Sequence, residues 1–405
     1  MTASPDELVV ITPEFKADSP NRYARLRALG PVHRARLSSG LEGWLVVSHE
    51  HARLALTHPD LRKDPTPARE ALARANFTAN QPGVGIGGQM LEADPPEHTR
   101  LRRLVAGAFS PRRTQQLGPR IQQIADGLID AILPLGETDL VETFTAPLPV
   151  AVISELLGVP EAQRADFRSW TTDALSAPSA RQRAASRDLN GMLAALIAGK
   201  RRAPQDDLLS ALVAVRDEDD GRLAKTELVG TAVLLVIAGH ETTVNLLGNS
   251  LYALFDAPGQ LATLRADPSL IGEAVEEFLR FDSSVELTTP RFAAADLDLG
   301  GQRIGKGDIV VVALPSASHD LPLPDGSPDD VLDVTRTGVR HLAFGHGIHH
   351  CLGAPLARLE ANIALGTLLR RLPGLRPSGP LAEIPWTPGG MMRGPLTLPV
   401  RFDTP

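Results

Sequence analysis

The chain holds one cysteine, Cys351, in the stretch Phe344-Gly345-His346-Gly347-Ile348-His349-His350-Cys351-Leu352-Gly353-Ala354. Glycines this dense around a cysteine mean that the backbone bends tightly and that something large comes close to it. A helix is expected to begin just after Cys351, which places the sulfur near free N–H groups and the positive end of a helix dipole. That setting favours a thiolate over the ordinary thiol, whose pKa is about 8.5. A thiolate with backbone donors and a flat space in front of it suits the fifth ligand of a haem iron. Three other chemistries compete for the same residue. A lone cysteine is commonly an inert small hydrophobe. Zinc takes Cys and His ligands, and His341, His346, His349 and His350 lie close by. A nucleophilic cysteine needs a histidine base. No Cys-x-x-Cys pair exists, however, and the histidine spacing fits neither a zinc finger nor a two-histidine helix. The nucleophile reading leaves the glycines and Phe344 unexplained. What decides is whether the rest of the chain supplies the other parts of a haem site.

A second candidate lies in Gly239-His240-Glu241-Thr242-Thr243. Residues 226–255 carry apolar residues at three- and four-residue spacing, a helix of about 45 Å at 1.5 Å per residue. Its run 228–239 is almost wholly apolar but shorter than the roughly 20 residues of a membrane span, so a buried core helix is expected. A carboxylate within such a helix is costly unless paired or wet. Thr hydroxyls beside it can bond back to the i−4 carbonyl and open a local bulge. Acid, alcohol and a widened groove together make a proton relay; a solvated polar face is the competing reading.

Three weaker constellations follow. Glu277 and Arg280 stand three apart on one helix face, a spacing that most often marks a surface ion pair. Asp94-Pro95-Pro96-Glu97 reads as a helix start with a capping residue, and His98 and Arg102 follow four apart. Two basic groups on one face suit an anion such as a pair of carboxylates, or else a solvated basic face. The run 83–88 satisfies G-x-G-x-x-G, but it lacks the strand before and the helix after that a dinucleotide site needs, and reads as a loop.

These residues need a scaffold. Hydrophobic residues at 43% and charged residues at 22% describe a soluble chain able to bury a large core, and the net charge of −7 argues against nucleic acid. The polar start of the chain carries no signal peptide or membrane anchor pattern, and one cysteine fits a reducing, cytoplasmic compartment. Helical patterns cover residues 120–135, 206–215, 226–255, 268–281 and 355–372; strand-like segments are 43–48, 291–299 and 308–313. With no repeat and no flexible linker, the expectation is one domain over 1–405, mainly α with a small β portion.

Taken together, the Cys351 loop, the segment 238–243 and Glu277-x-x-Arg280 resemble the haem loop, oxygen-activating helix and Glu-x-x-Arg pair of the cytochrome P-450 family. The resemblance runs from the strand at Gly43 to the segment 391–400, and its style is that of soluble bacterial members that tailor natural products. It implies the cytochrome P-450 fold with a long central helix over haem b (iron protoporphyrin IX). It further implies a monomeric, cytoplasmic monooxygenase that inserts one atom of O2 into a C–H or C=C bond of a bulky apolar polyketide, terpenoid or steroid-like molecule. Cys351 would be the thiolate ligand, with Phe344 packed near its sulfur and Gly353 completing the loop. His98, Arg102, Arg291 and His349 would hold the haem propionates. Glu241 and Thr242 would deliver protons to dioxygen. Glu277 and Arg280 would be structural, whereas Glu276, about 100° round the helix, is expected to face elsewhere and to be dispensable.

The same resemblance points to Met90, Leu91, Val236, Ala238, Leu287, Thr288 and Met391 as pocket lining and to residues 162–202 as a lid. Ordinary core packing is the competing reading for each lining residue. Electrons would come from a separate ferredoxin and an NAD(P)H-dependent ferredoxin reductase, since no cysteines remain for an iron–sulfur centre. Arg100, Arg103, Arg112 and Arg113 offer positive charge to steer an acidic partner. A peroxide-driven enzyme and a haem sensor are the alternatives. The sequence departs from the family in three places: Val331 stands where an arginine is usual, Ser318-His319 replaces Asn-Arg, and the loop 321–328 is rich in proline. The first predicts that the Glu-Arg-Arg network lacks its third member.

Overall fold

The computed structural model describes residues 8–74, 89–108, 111–174, 179–217, 221–323 and 326–404; the glycine run 83–88 lies outside them. The protein is 59% helical with 11% strand, mainly α with a small β portion. All five predicted helices form, with ends set by local chemistry. The Asp207 side chain accepts the Ser210 N–H at 2.7 Å, so that helix is Leu208–Ala214. Pro268–Leu270 forms a separate 3-10 turn capped by Asp267, and the α-helix after it is Ile271–Phe281. The others are Gly118–Ile132, Lys225–Asp256 and Ala354–Arg371.

The central helix Lys225–Asp256 starts where Glu227 reaches back to accept the Ala224 N–H at 2.6 Å. By length and composition alone it could cross a membrane, with a mean hydropathy of 1.3 over 18 residues, because the sequence after Thr243 turns apolar again. In the fold it packs against helices Pro147–Leu156, Ala180–Arg202, Ile271–Phe281 and Ala354–Arg371, and it buries His240, Asn245 and Asn249. Gly239 serves this packing. A Cβ there would meet Ile153 Cδ1 at 2.7 Å, so the neighbour that comes close is a helix side chain.

Residues 162–202, expected to form a lid, are mainly two helices, Arg164–Ala174 and Ala180–Arg202, with 175–178 outside the described residues. The second buries Ala185, Leu189, Leu193, Ile197 and Lys200. That stripe is one residue wide, too narrow to stand out as a periodic pattern.

The main sheet runs Val9–Val10, Val32–Arg36, Glu42–Val46, Ile309–Val312, Arg291–Ala293, Leu61–Arg62. Glu42–Val46 and Ile309–Val312 pair in parallel at its centre, with Val310 opposite Trp44, and both are buried almost throughout, as inner strands should be. The predicted strand 291–299 is two strands. Arg291–Ala293 stays in the sheet, whereas Leu297–Leu299 turns through Gly300 and Gly301, both at positive φ, to pair with Gln302–Ile304. Leu61 sits opposite Ala293. This pairing brings the segment after Leu61–Arg62 beside Arg291.

Candidate active site

The Cys351 loop is closed by backbone bonds. Cys351 N–H donates to the Phe344 carbonyl at 2.9 Å, Gly345 N–H to Leu342 at 2.7 Å and His350 N–H to Gly347 at 3.1 Å. Gly345 and Gly347 have φ of 72° and 75°, and a Cβ on Gly347 would meet Thr57 Cγ2 at 2.9 Å. The glycines are therefore required. Helix Ala354–Arg371 begins three residues on, and the backbone amides of Gly353 and Ala354 act to lower the pKa of the cysteine. Cys351 is solvent-accessible. Surrounding protein nevertheless pushes its thiol up, and the two amides, Arg102 and Arg358 only partly offset this. The amides beside it suit a thiolate, and a cation facing the sulfur would complete its deprotonation. Phe344 packs under Arg358, with the guanidinium 4.5 Å from the ring centre.

The zinc reading of Cys351 finds no support among the described residues. Among the described residues, no group of three or more His, Cys, Asp or Glu could hold a metal ion. His341 bonds Glu276, His346 accepts from Arg53, and His349 lies against His98. Each of these three imidazoles has a partner other than Cys351.

The second feature is a buried cluster of one sign. Helix Glu97–Ala108 carries His98 and Arg102. His98 is 2% exposed, neither ring nitrogen has a partner, and its ring centre lies 4.3 Å from that of His349. Arg102 donates to the carbonyl of His350, directly before the cysteine, at 2.7 Å. Arg291 is 4% exposed; one Nη donates to the Leu56 carbonyl at 3.2 Å and its Nε has no partner. Burial, with help from Lys63, His98, Arg291 and Arg102, drives His349 down to about 2, and burial lowers Arg291 to about 10. Buried N–H groups left over in a cationic cluster are the donor set for carboxylates. An accessible sulfur with amide donors beside such a cluster fits a haem with its two propionates. Lys63, which sequence reasoning missed, sits in this cluster with its ammonium on Thr289 and Pro290. Asp94 does not cap the helix with its side chain. Its carboxylate accepts the N–H groups of Lys63 and Asp64, and only its carbonyl takes His98 N–H.

Glu241 and Thr242 lie half-buried on the central helix. Burial pushes the Glu241 carboxyl up, with Lys16 opposing, so the acid holds its proton to higher pH than a surface carboxyl. The Thr242 hydroxyl donates to the Ala238 carbonyl at 2.5 Å, the expected back-bond, which leaves its oxygen free to accept. Neighbouring His240 is held neutral, lowered to about 4 by burial. Glu241 is therefore the group on this turn able to give up a proton.

The Glu-Arg-Arg network is complete, contrary to the expectation from Val331. Arg280 donates to Glu277 through two nitrogens, at 2.7 and 2.8 Å, and Arg336 donates to the same carboxylate. Arg336 fills the third place from five residues beyond Val331, whose own side chain is exposed while its carbonyl accepts from both arginines. Asp333 N–H also reaches Glu277 at 3.1 Å. His319 compensates locally, its ring on the Phe281 carbonyl at 2.9 Å, while Ser318 Oγ accepts the Leu342 N–H. Glu276 faces away from Glu277, as expected, yet it is engaged. It takes two hydrogen bonds from Arg358, at 2.6 and 2.8 Å, and one from His341, and so holds the guanidinium over Phe344.

The lining residues divide. Ala238 is exposed, and Met90, Leu91, Thr288 and Met391 are half-buried. The Met391 carbonyl accepts the Glu286 and Leu287 N–H groups, which brings 286–288 and 391 together. Val236 and Leu287, at 0% and 3% exposure, are core residues and present no surface. A cavity of about 760 Å³ lies on the lid helices, lined by Trp170, Met192 and Leu196 among others, with none of the named lining residues in its wall. Of the arginines expected to steer a partner, Arg100 is engaged by Glu97 and Glu227 and Arg113 by Asp206; the Arg112 side chain lies outside the described residues.

A sequence model of the cytochrome P-450 family matches residues 150–377. The chain is 48% identical to the cytochrome P-450 monooxygenase PikC of Streptomyces venezuelae, over 99% of this chain and 95% of the relative. It is 39% identical to the 6-deoxyerythronolide B hydroxylase of Saccharopolyspora erythraea, over the whole of both. The solved structure of the ligand-free monooxygenase TamI superposes with a TM-score of 0.88 at 42% identity, over 98% of this chain and 95% of that one. Fold, cysteine loop and relatives agree: this chain belongs to the cytochrome P-450 family and is an oxidoreductase of the monooxygenase class.

Proposed function

We propose that residues 1–405 form one catalytic domain that binds haem b through Cys351 and inserts one oxygen atom of O2 into a C–H or C=C bond of a bulky apolar molecule. What carries the reading is one juxtaposition. Arg102, from the basic cluster, donates to the carbonyl of His350, the residue before a solvent-accessible cysteine at the start of a helix. The bound haem would supply oxygen activation and C–H or C=C oxidation. Arg102 and Arg291 would neutralise its two carboxylates, and the imidazoles of His98 and His349 would donate hydrogen bonds to them. Cys351 ligates the iron. Gly353 and Ala354 hold charge on the sulfur, and Phe344 shields it. Glu241, with its raised pKa, supplies protons, and the Thr242 hydroxyl passes them on because its oxygen can accept while its O–H donates.

A macrolide-sized polyketide is the favoured substrate class, with terpenoids and steroid-like molecules behind it. Its support is the 39% identical relative named for hydroxylating 6-deoxyerythronolide B. Ala238, Met90, Leu91, Thr288 and Met391 offer adaptable apolar surface for such a molecule. Electrons come from a ferredoxin and its NAD(P)H-dependent reductase, and the protein works as a cytoplasmic monomer. The chief rival is a peroxide-driven enzyme, which has no use for a proton relay.

The test is turnover with ferredoxin, reductase and NAD(P)H beside turnover with peroxide, in the parent and in Thr242→Ala. The variant should keep haem and substrate binding, yet form roughly ten-fold or less product per NAD(P)H consumed. Unchanged coupling removes Thr242 from the relay. Faster turnover with peroxide than with the redox chain favours the rival.

A further inference from the structure

Lys63 follows the edge strand Leu61–Arg62 and is 6% exposed. Its ammonium donates to the carbonyls of Thr289 (3.3 Å) and Pro290 (3.1 Å) and to the Thr289 hydroxyl, in the two residues directly before Arg291. Its main-chain N–H and that of Asp64 donate to the Asp94 carboxylate at 2.9–3.0 Å, and the Asp94 carbonyl accepts His98 N–H at 2.9 Å. Lys63 is thus fastened on one side to the strand of Arg291 and on the other to the helix of His98 and Arg102.

All three acceptors of the ammonium are neutral. Among the described residues, no carboxylate stands within ion-pair distance of it. Asp94 and Glu92 act on it only at longer range, and burial together with Arg291 drives its pKa well below the usual lysine range. A buried lysine so placed is costly without a counter-charge. Bridging two carbonyls and a hydroxyl does not explain the cost, because a neutral amide donates hydrogen bonds without it.

We propose that Lys63 is a further basic group of the haem carboxylate site, a positioning residue that holds Arg291 in place and supplies charge that the two propionates neutralise. This rests on the haem reading above. Its charge is a burden in the haem-free chain and an asset in the loaded one, so removal should have opposite effects on the two states.

The parent is examined first for haem content and for the thiolate-type spectrum of its reduced carbon monoxide complex; failure there sinks the haem reading whatever Lys63 does. Then Lys63→Gln, Lys63→Met and Lys63→Arg are prepared as holoproteins. Haem loss to an excess of apomyoglobin, the iron midpoint potential and thermal unfolding of the haem-extracted chain are measured. Gln and Met should lose haem roughly 10- to 100-fold faster and show a more negative midpoint potential, since a positive charge near the porphyrin edge has gone. Their haem-extracted chains should unfold no earlier than the parent's. Arg should stay near the parent in haem retention. A Gln variant with parental haem loss and potential would reduce Lys63 to a hydrogen-bonding strut and overturn the proposal. Neutral variants that fail to fold overturn it too, because the proposal makes the charge a burden in the haem-free chain.

Discussion

Two groups of largely buried charged side chains obey opposite rules. In the Glu277 cluster the carboxylate takes both nitrogens of Arg280, one of Arg336 and the Asp333 N–H, and the arginines spend further donors on the carbonyls of Asp329 and Val331 and on Ser327 Oγ. Charges of both signs meet and donors find acceptors. In the cluster of His98, Arg102, Arg291, His349 and Lys63 every group is basic, and His98 and Arg291 keep buried nitrogens without partners. The first cluster is satisfied by the protein alone and so is structural. The second has donors and charge that the protein does not consume, which marks a place for an anion.

The largest expected effect comes from breaking the satisfied cluster. Glu277→Ala leaves two buried arginines without their counter-charge, at a cost of about 3–5 kcal/mol, much of a marginal total. Little soluble, haem-loaded protein should be recovered, and thermal melting of what folds should fall steeply. Parental yield and melting would mean that the cluster does not hold the fold together.

The one-signed cluster should respond the other way. Arg291→Leu removes a buried cation whose Nε has no protein partner, so the haem-free chain should melt no lower than the parent while haem affinity drops roughly 10- to 100-fold. Haem titration followed by Soret absorbance, beside thermal melting of the haem-free chain, separates the two effects. A destabilised haem-free chain with unchanged haem affinity would put Arg291 in the same class as Arg280.

How these clusters could be read in the sequence differs in an instructive way. The cysteine loop was legible because its glycines, cysteine and following helix are contiguous, so local rules apply. Glu277 and Arg280 share a helix face at i, i+3, but their third partner was misplaced. Arg336 lies 59 residues from Glu277, and the chain between carries a proline-rich loop that defeats a fixed spacing. Lys63 was invisible for the same reason, its acceptor on Thr289 being 226 residues away across a strand pairing. The failure at Glu276 was of another kind. A rotation of about 100° does turn it away from Glu277, but towards Arg358 and His341 instead of solvent.

Glu276 therefore gives the smallest and most specific effect. Burial works against its ionisation, yet the hydrogen bonds from Arg358 and His341 win and hold the carboxyl at about 2. Because the folded pKa lies below that of an unfolded glutamate, about 4.3, the stabilisation is present above that value and is lost as pH falls through about 2. Glu276→Ala should cost about 1 kcal/mol at neutral pH. The gap to the parent should shrink on acidification, as read from denaturant midpoints across that range. A constant gap would mean that the pair contributes through packing alone.

The central claim is that Cys351 is the haem ligand. It is tested most directly by the absorption spectrum of the reduced, carbon monoxide-bound protein, parent beside Cys351→Ser. The parent should show the long-wavelength Soret band of thiolate ligation, because an iron cation facing the sulfur deprotonates it. The serine variant should lose haem or show only the shorter-wavelength band of a neutral ligand. A variant that keeps the long-wavelength band, or a haem-loaded parent that lacks it, would contradict the account.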